Sequence, residues 1–105
     1  MNTLDIYEQL TLAWSNERGI TVNGKATTQA LKLVSEVGEL ADNIIKDRDC
    51  RDDIGDCLVV LTNLAKLKGY TLAECWDKAY NDIKDRKGYL NEHGNFIKEG
   101  DTDDN

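Results

Sequence analysis

The chain has 105 residues, enough for one small domain, and its 20 acidic against 13 basic residues leave a formal net charge of −7. A surface of that sign repels phosphate backbones, which argues against a nucleic-acid polymer as partner, yet it admits a small phosphate ligand held through a cation. No apolar run reaches membrane length, no basic-then-apolar leader is present, and Cys50, Cys57 and Cys75 form no C-x-x-C pair, so the expected setting is the reduced cytoplasm, away from membranes.

Proline is absent and helix-forming residues are plentiful, which predicts an all-α protein. The first predicted helix runs from Thr3 to Arg18, with Leu4, Ile6, Tyr7, Leu10, Ala13 and Trp14 at helical spacing and Gly19 as the stop. The glycines and the Asn-Gly pair of GITVNGKATT predict a loop. A second helix follows from Thr27 or Thr28 to between Lys46 and Arg48. Leu33, Val34, Val37, Leu40, Ala41, Ile44 and Ile45 fill one half of its wheel, while Lys32, Ser35, Glu36, Glu39, Asp42, Asn43 and Lys46 fill the other. The third helix starts near Asp49 as N-cap, with Asp52 and Asp53 in its first turn, and ends at Gly69. The fourth opens on the capping box Thr71…Glu74 and stops by Gly88. Residues 1–98 read as one all-α domain of these four main helices, and 99–105 as an acidic, mobile tail.

Two acidic pairs at i, i+3 spacing stand out: Glu36 with Glu39, and Asp53 with Asp56. The first pair alone reads as a solvated face. The second lies on one arc of about 80° with Val60, Asn63 and Leu67, so an acidic stripe runs directly into an apolar one. A carboxylate buried there without a partner must protonate, pair or bind a metal. The link between the second and third helices is very short, which makes them antiparallel neighbours. Glu39 lies ~12 Å of helix before that link and Asp56 ~10 Å after it, so the two pairs sit at similar heights. Four carboxylates that converge repel one another, and a divalent cation resolves the repulsion; oxygen ligands of this kind suit Mg²⁺ or Mn²⁺ rather than Zn²⁺.

The stretch KLVSEVGELAD…DDIGDCLVVLTNLAKLKG resembles the MazG-like nucleotide pyrophosphohydrolases of the all-α NTP pyrophosphatase superfamily, over residues 26 to 87. Glu36-Val-Gly-Glu39 matches the family's E-x-x-E. Asp53-Ile-Gly-Asp56 matches its E-x-x-D, with aspartate where glutamate is usual. The stretch AYNDIKDRKGYLNEHGNFIKE resembles small bacterial and phage-encoded members. The resemblance implies a Mg²⁺-dependent enzyme that splits a nucleoside triphosphate into monophosphate and pyrophosphate. It also implies a homodimer, or a tetramer built from dimers, in which helices of two chains complete a bundle around the site. That fits a short chain whose third helix is apolar on almost every side from Cys57 to Leu61.

Within this reading Glu36, Glu39, Asp53 and Asp56 hold the metal, and Glu36 or Glu39 takes the proton of the attacking water. The resemblance also places Asn81 and Arg86 at the end of the fourth helix against the phosphates, and offers Trp14 as a wall for the base, although Trp14 also reads as core. Lys84 and Lys32 are further candidates for the phosphates, although Lys32 sits one turn before Glu36 and also reads as an ordinary helix ion pair. Gln29 is a candidate for a base edge. Trp76 reads as core or interface, and His93 as a loop residue. A dUTP- or dCTP-directed enzyme and a phosphoribosyl-ATP pyrophosphatase are close variants. The rival of a different class is a non-catalytic helical oligomer that binds a divalent ion or a partner protein, favoured by aspartate at position 53.

Overall fold

A computed structural model describes residues 2–101. The order of elements is α1 (Thr3–Glu17), α2 (Ile20–Asn23), α3 (Ala26–Ile45), α4 (Arg51–Leu67), α5 (Leu72–Ile83), β1 (Gly88–Leu90) and β2 (Phe96–Lys98). The chain divides into two compact units, Met1–Glu74 and Cys75–Asn105. The protein is mostly helical, as composition predicts, with two additions to the four expected helices: α2 and a strand pair.

In the first unit α1 is capped by Asn2, whose side-chain oxygen accepts from the Asp5 amide at 2.9 Å. Gly19, with φ 76°, turns the chain in the left-handed region. The segment expected as a loop then closes one helical turn, α2, in which the amides of Asn23 and Gly24 donate to the carbonyls of Gly19 and Ile20. One turn satisfies backbone groups that an open loop would leave to water.

α3 packs chiefly on α4, and α1 and α2 pack on α4 as well. The reversal between α3 and α4 is tight. Asp47 takes φ 54°, and the Arg48 amide donates back to the Asn43 carbonyl at 2.8 Å, a left-handed helix stop. The cap of α4 falls one residue later than expected, at Cys50, which makes no side-chain cap bond. Asp49 instead accepts from the Arg51 amide at 3.0 Å and pairs with its guanidinium.

The covered positions of α3 are Ala26, Gln29, Leu33, Glu36, Leu40 and Asn43, an alternation of three- and four-residue steps. This seam is not the apolar face of the wheel. It runs along the border between the apolar and polar halves, and Leu31, Val34, Val37, Ile44 and Ile45 stay exposed, Leu31 by 74 %. α1 behaves alike: Asp5, Glu8, Thr11, Leu12 and Ser15 are covered, whereas Leu4, Ile6, Tyr7, Leu10 and Trp14 are exposed. On α4 the stripe Asp53, Asp56, Val60, Asn63 and Leu67 is covered along its full length, while Ile54, Leu58 and Leu61 face outward. The interior of this unit is Val60 and Ala65 with the polar side chains of Ser15, Thr62 and Asn63. Thr62 donates to the Leu58 carbonyl at 2.7 Å, and Ser15 donates to the Asn63 amide oxygen at 2.5 Å.

The capping box at the start of α5 forms in full. The Thr71 amide donates to Glu74 and the Glu74 amide to the Thr71 hydroxyl, each at 3.1 Å. Glu8 of α1 satisfies a further orphan donor, the Leu72 amide, at 3.0 Å.

In the second unit α5 ends at Ile83, and Gly88, expected as a helix stop, instead begins a strand. β1 and β2 pair antiparallel with Gly88 opposite Lys98, Tyr89 opposite Ile97 and Leu90 opposite Phe96. A side chain at position 88 would meet the Ile97 carbonyl, which is why glycine stands there. The Asn91 side chain organises the loop, accepting from the amides of His93 at 3.0 Å and Asn95 at 2.9 Å. Ile97 is buried. Residues 99–101 carry on in hydrogen-bonded turns, with Glu99 donating to the Lys87 carbonyl and Asp101 to that of Lys98. The rest of the expected acidic tail, 102–105, lies outside the described residues.

Candidate active site

Three of the four acids lie along the contact of α3 with α4: Glu36 on the covered seam of α3, and Asp53 and Asp56 on the covered stripe of α4. Glu36 is drawn in by its place on the seam, and its side chain is 13 % exposed. One of its oxygens, Oε1, pairs with Lys32 Nζ at 3.3 Å, one turn back on α3. The other, Oε2, is buried and, among the described residues, is the one buried side-chain nitrogen or oxygen without a hydrogen-bond partner. Native interiors rarely leave a carboxylate oxygen in that state, because the desolvation goes unrecovered.

Across the seam, Asp53 and Asp56 are half-buried. Burial pushes the Asp56 carboxyl above its ordinary range, and the negative charges of Asp52, Glu36 and Asp53 push the same way, with Lys32 opposing. Burial likewise raises the adjacent Cys57 thiol, helped by the charges of Glu36, Asp56 and Asp53. The charges of Glu36, across the seam, and of Asp53, one turn back, are therefore both felt at Asp56. Glu39 lies one turn beyond Glu36 and is exposed. Among the described residues no three carboxylate, thiol or imidazole groups stand as a ready cage for a metal ion, so sharing one cation requires these side chains to close in. The donor set is nevertheless the right chemistry for a hard cation. Carboxylate oxygens dominate, and one of them is buried with no hydrogen-bond donor to satisfy it.

The remaining candidates divide by unit. In the first, Gln29 and Lys32 continue the α3 face that carries Glu36, Gln29 half-covered on the seam and Lys32 exposed. Trp14 is exposed rather than core, and the Arg18 guanidinium lies 4.3 Å from its ring centroid while Arg18 Nη1 donates to the Trp14 carbonyl at 2.9 Å. In the second unit Asn81, Lys84 and Arg86 are all exposed, and the Asn81 amide donates to the Asp77 carbonyl at 2.9 Å. Trp76 is exposed on α5, and His93 lies in the hairpin loop. Cys50 and Cys57 are half-covered, as small apolar packers would be, whereas Cys75 is exposed.

Sequence reasoning passed over Asn43, whose amide donates to Asp53 Oδ2 at 2.8 Å across the α3–α4 seam. The signal was available: Asn43 lies two turns after Glu36, hence on the same stripe, but its polar surroundings read as a solvated face.

Residues 25–90 match the family of the MazG nucleotide pyrophosphohydrolase domain, a span that contains both acidic pairs, α3, α4 and α5. A relative from Haemophilus phage HP1, an uncharacterized 18.2 kDa protein of the rep-hol intergenic region, is 36 % identical over 55 residues, which is 50 % of this chain and 34 % of that protein. The chain thus spans about a third of the curated relative it matches. No solved structure matches. Among the described residues no helix is long and apolar enough to cross a membrane. With two acidic pairs on adjacent helices and more than half of its length matched, the chain belongs to the MazG nucleotide pyrophosphohydrolase family.

Proposed function

We propose that this protein is a Mg²⁺-dependent nucleoside triphosphate pyrophosphohydrolase of the reduced cytoplasm, cutting the substrate between its α- and β-phosphorus to leave a monophosphate and pyrophosphate. The observation that carries this reading is the buried, unpartnered Oε2 of Glu36 beside the mutually repelling Asp53 and Asp56. Glu36, Glu39, Asp53 and Asp56 would hold the cation, with Mn²⁺ able to replace Mg²⁺. When bound, that ion would neutralise phosphate charge and make a water more acidic.

The chain's own groups do the rest. Glu36 or Glu39 accepts the proton of the attacking water. Lys32, tied to Glu36 Oε1 in the present structure, is flexible and 58 % exposed at its side chain, so it can turn to a phosphate once a cation takes its place. Arg86, Lys84 and Asn81 supply further donors to the triphosphate, and Trp14 and Gln29 contact the base. Assembly into a homodimer, or a tetramer of two dimers, covers the apolar faces of α3 and α4, which are too extensive for a solvated monomer.

The test is release of pyrophosphate from each common ribo- and deoxyribonucleoside triphosphate, with Mg²⁺, with Mn²⁺ and with EDTA. Metal-dependent release that leaves the monophosphate is the expected result, and any preference among bases separates a general enzyme from a dUTP- or dCTP-directed one. Adding phosphoribosyl-ATP to the panel covers that variant. Folded protein that binds Mn²⁺ but releases no pyrophosphate from any of these would instead support a non-catalytic ion-binding oligomer.

A further inference from the structure

We propose that Asn43 is a positioning residue for the acidic site, holding Asp53 in the orientation in which it shares a cation with Glu36 and Asp56. The inference rests on the metal-dependent reading above and adds to it a residue outside the acidic set.

Asn43 and Asp53 are both half-buried and face each other across the α3–α4 seam, with Asn43 Nδ2 donating to Asp53 Oδ2 at 2.8 Å. Asn43 shares its stripe with Glu36, so the group that holds Asp53 comes from the same helix face as the acid opposite it. The aspartates of α4 reach one methylene less far than the glutamates of α3. A short carboxylate has less freedom to swing toward a shared ion, so its orientation must be set in advance. The bond occupies one carboxylate oxygen and leaves the group's second oxygen to other work. The donor is also neutral. A lysine or arginine in its place would cancel the negative charge that a cation needs, whereas an amide fixes direction and leaves the charge intact. Asp56 follows Asp53 by three residues on the same covered stripe of α4, so the held carboxylate and its fellow acid share one face. Groups that hydrogen-bond a metal's ligands usually set affinity as strongly as they set geometry.

The experiment titrates Mn²⁺ alone into the full chain without nucleotide, reading free Mn²⁺ by electron paramagnetic resonance, with thermal melting as the control for folding. Asn43→Ala and the size-matched Asn43→Leu should each weaken Mn²⁺ binding about ten-fold while the protein stays folded. In an Asp53→Ala background, Asn43→Ala should cost nothing further, because the amide then has no carboxylate to hold. If both Asn43 variants bind Mn²⁺ as tightly as the parent while Asp53→Ala binds weakly, Asp53 needs no tether and the proposal falls, with the metal reading intact. An equal loss from Asn43→Ala with and without Asp53 would also overturn it. If Asp53→Ala and Glu36→Gln leave Mn²⁺ binding untouched as well, the metal reading has failed and takes this inference with it.

Discussion

Two buried polar contacts meet α4 from opposite neighbours, and they are built differently. Where α1 meets α4, Ser15 and Asn63 are almost wholly inaccessible and paired with each other at 2.5 Å. Where α3 meets α4, Glu36 is nearly as covered, but one of its two oxygens has no partner and its neighbours across the seam are acids. The first contact is a polar pair that ties two helices together. The second leaves one buried oxygen without a hydrogen bond despite the Lys32 ion pair, a desolvation cost that a cation at that oxygen would recover. Satisfied burial marks architecture here, and unsatisfied burial falls within the candidate site.

The sharpest way to break that contrast is to remove the charge of that carboxylate and keep its shape. Glu36→Gln should lower metal-dependent pyrophosphate release by at least about a hundred-fold while leaving the melting temperature unchanged or higher. A large drop in stability with activity retained would show Glu36 to be structural. On the outward side of the same helix, Val34→Glu places a charge in the exposed apolar face. It should shift sedimentation toward a monomer, and an unchanged sedimentation profile would place the subunit contact elsewhere.

The paired contact should answer in stability. Asn63→Ala leaves the Ser15 hydroxyl buried without its acceptor and should cost about 1–3 kcal/mol in urea unfolding. Asp56→Asn should do the reverse in the metal-free protein. The folded-state carboxyl of Asp56 is raised, so its protonated form is the favoured one in the folded chain, and that contribution is present below the ordinary value of 3.8 and lost as pH rises through the raised one. The variant should therefore melt above the parent at neutral pH, with the gap closing as pH falls toward 3.8. Added Mg²⁺ should stabilise the parent more than the variant. The smallest expected effect lies at the helix reversal: Asp47→Gly relieves a left-handed backbone at φ 54° and should add about 1 kcal/mol, read as a small rise in the unfolding midpoint.

Much of this was legible in the residues. The helix starts followed from periodicity and cap signals to within a residue or two, and the Thr71…Glu74 box formed as its spacing demands, but α5 ends at Ile83, well short of the stop expected at Gly88. The acid spacing pointed to the candidate site: i, i+3 pairs on helices joined by a short link put Glu36, Asp53 and Asp56 along one helix seam, while Glu39 stays exposed. The hairpin was not legible, since three-residue strands offer too little alternation to compete with a helical reading. The apolar residues of α1 recur at helical spacing, but spacing alone does not say which face is covered, and the helix turns Asp5, Glu8 and Ser15 inward.

The helical class, the acidic balance, the four carboxylates and the family can all be read from residue type and spacing, because each is a local property of the chain. Which stripe of each helix is covered depends instead on packing. Periodicity ranks the faces of a lone helix by hydropathy, but the seam is chosen by how two helices interlock, and here that places Glu36 and Asn43 inside and Leu31 and Val34 outside. The tether from Asn43 to Asp53 and the unpartnered oxygen of Glu36 exist only once that choice is made, since both depend on what stands opposite across the seam.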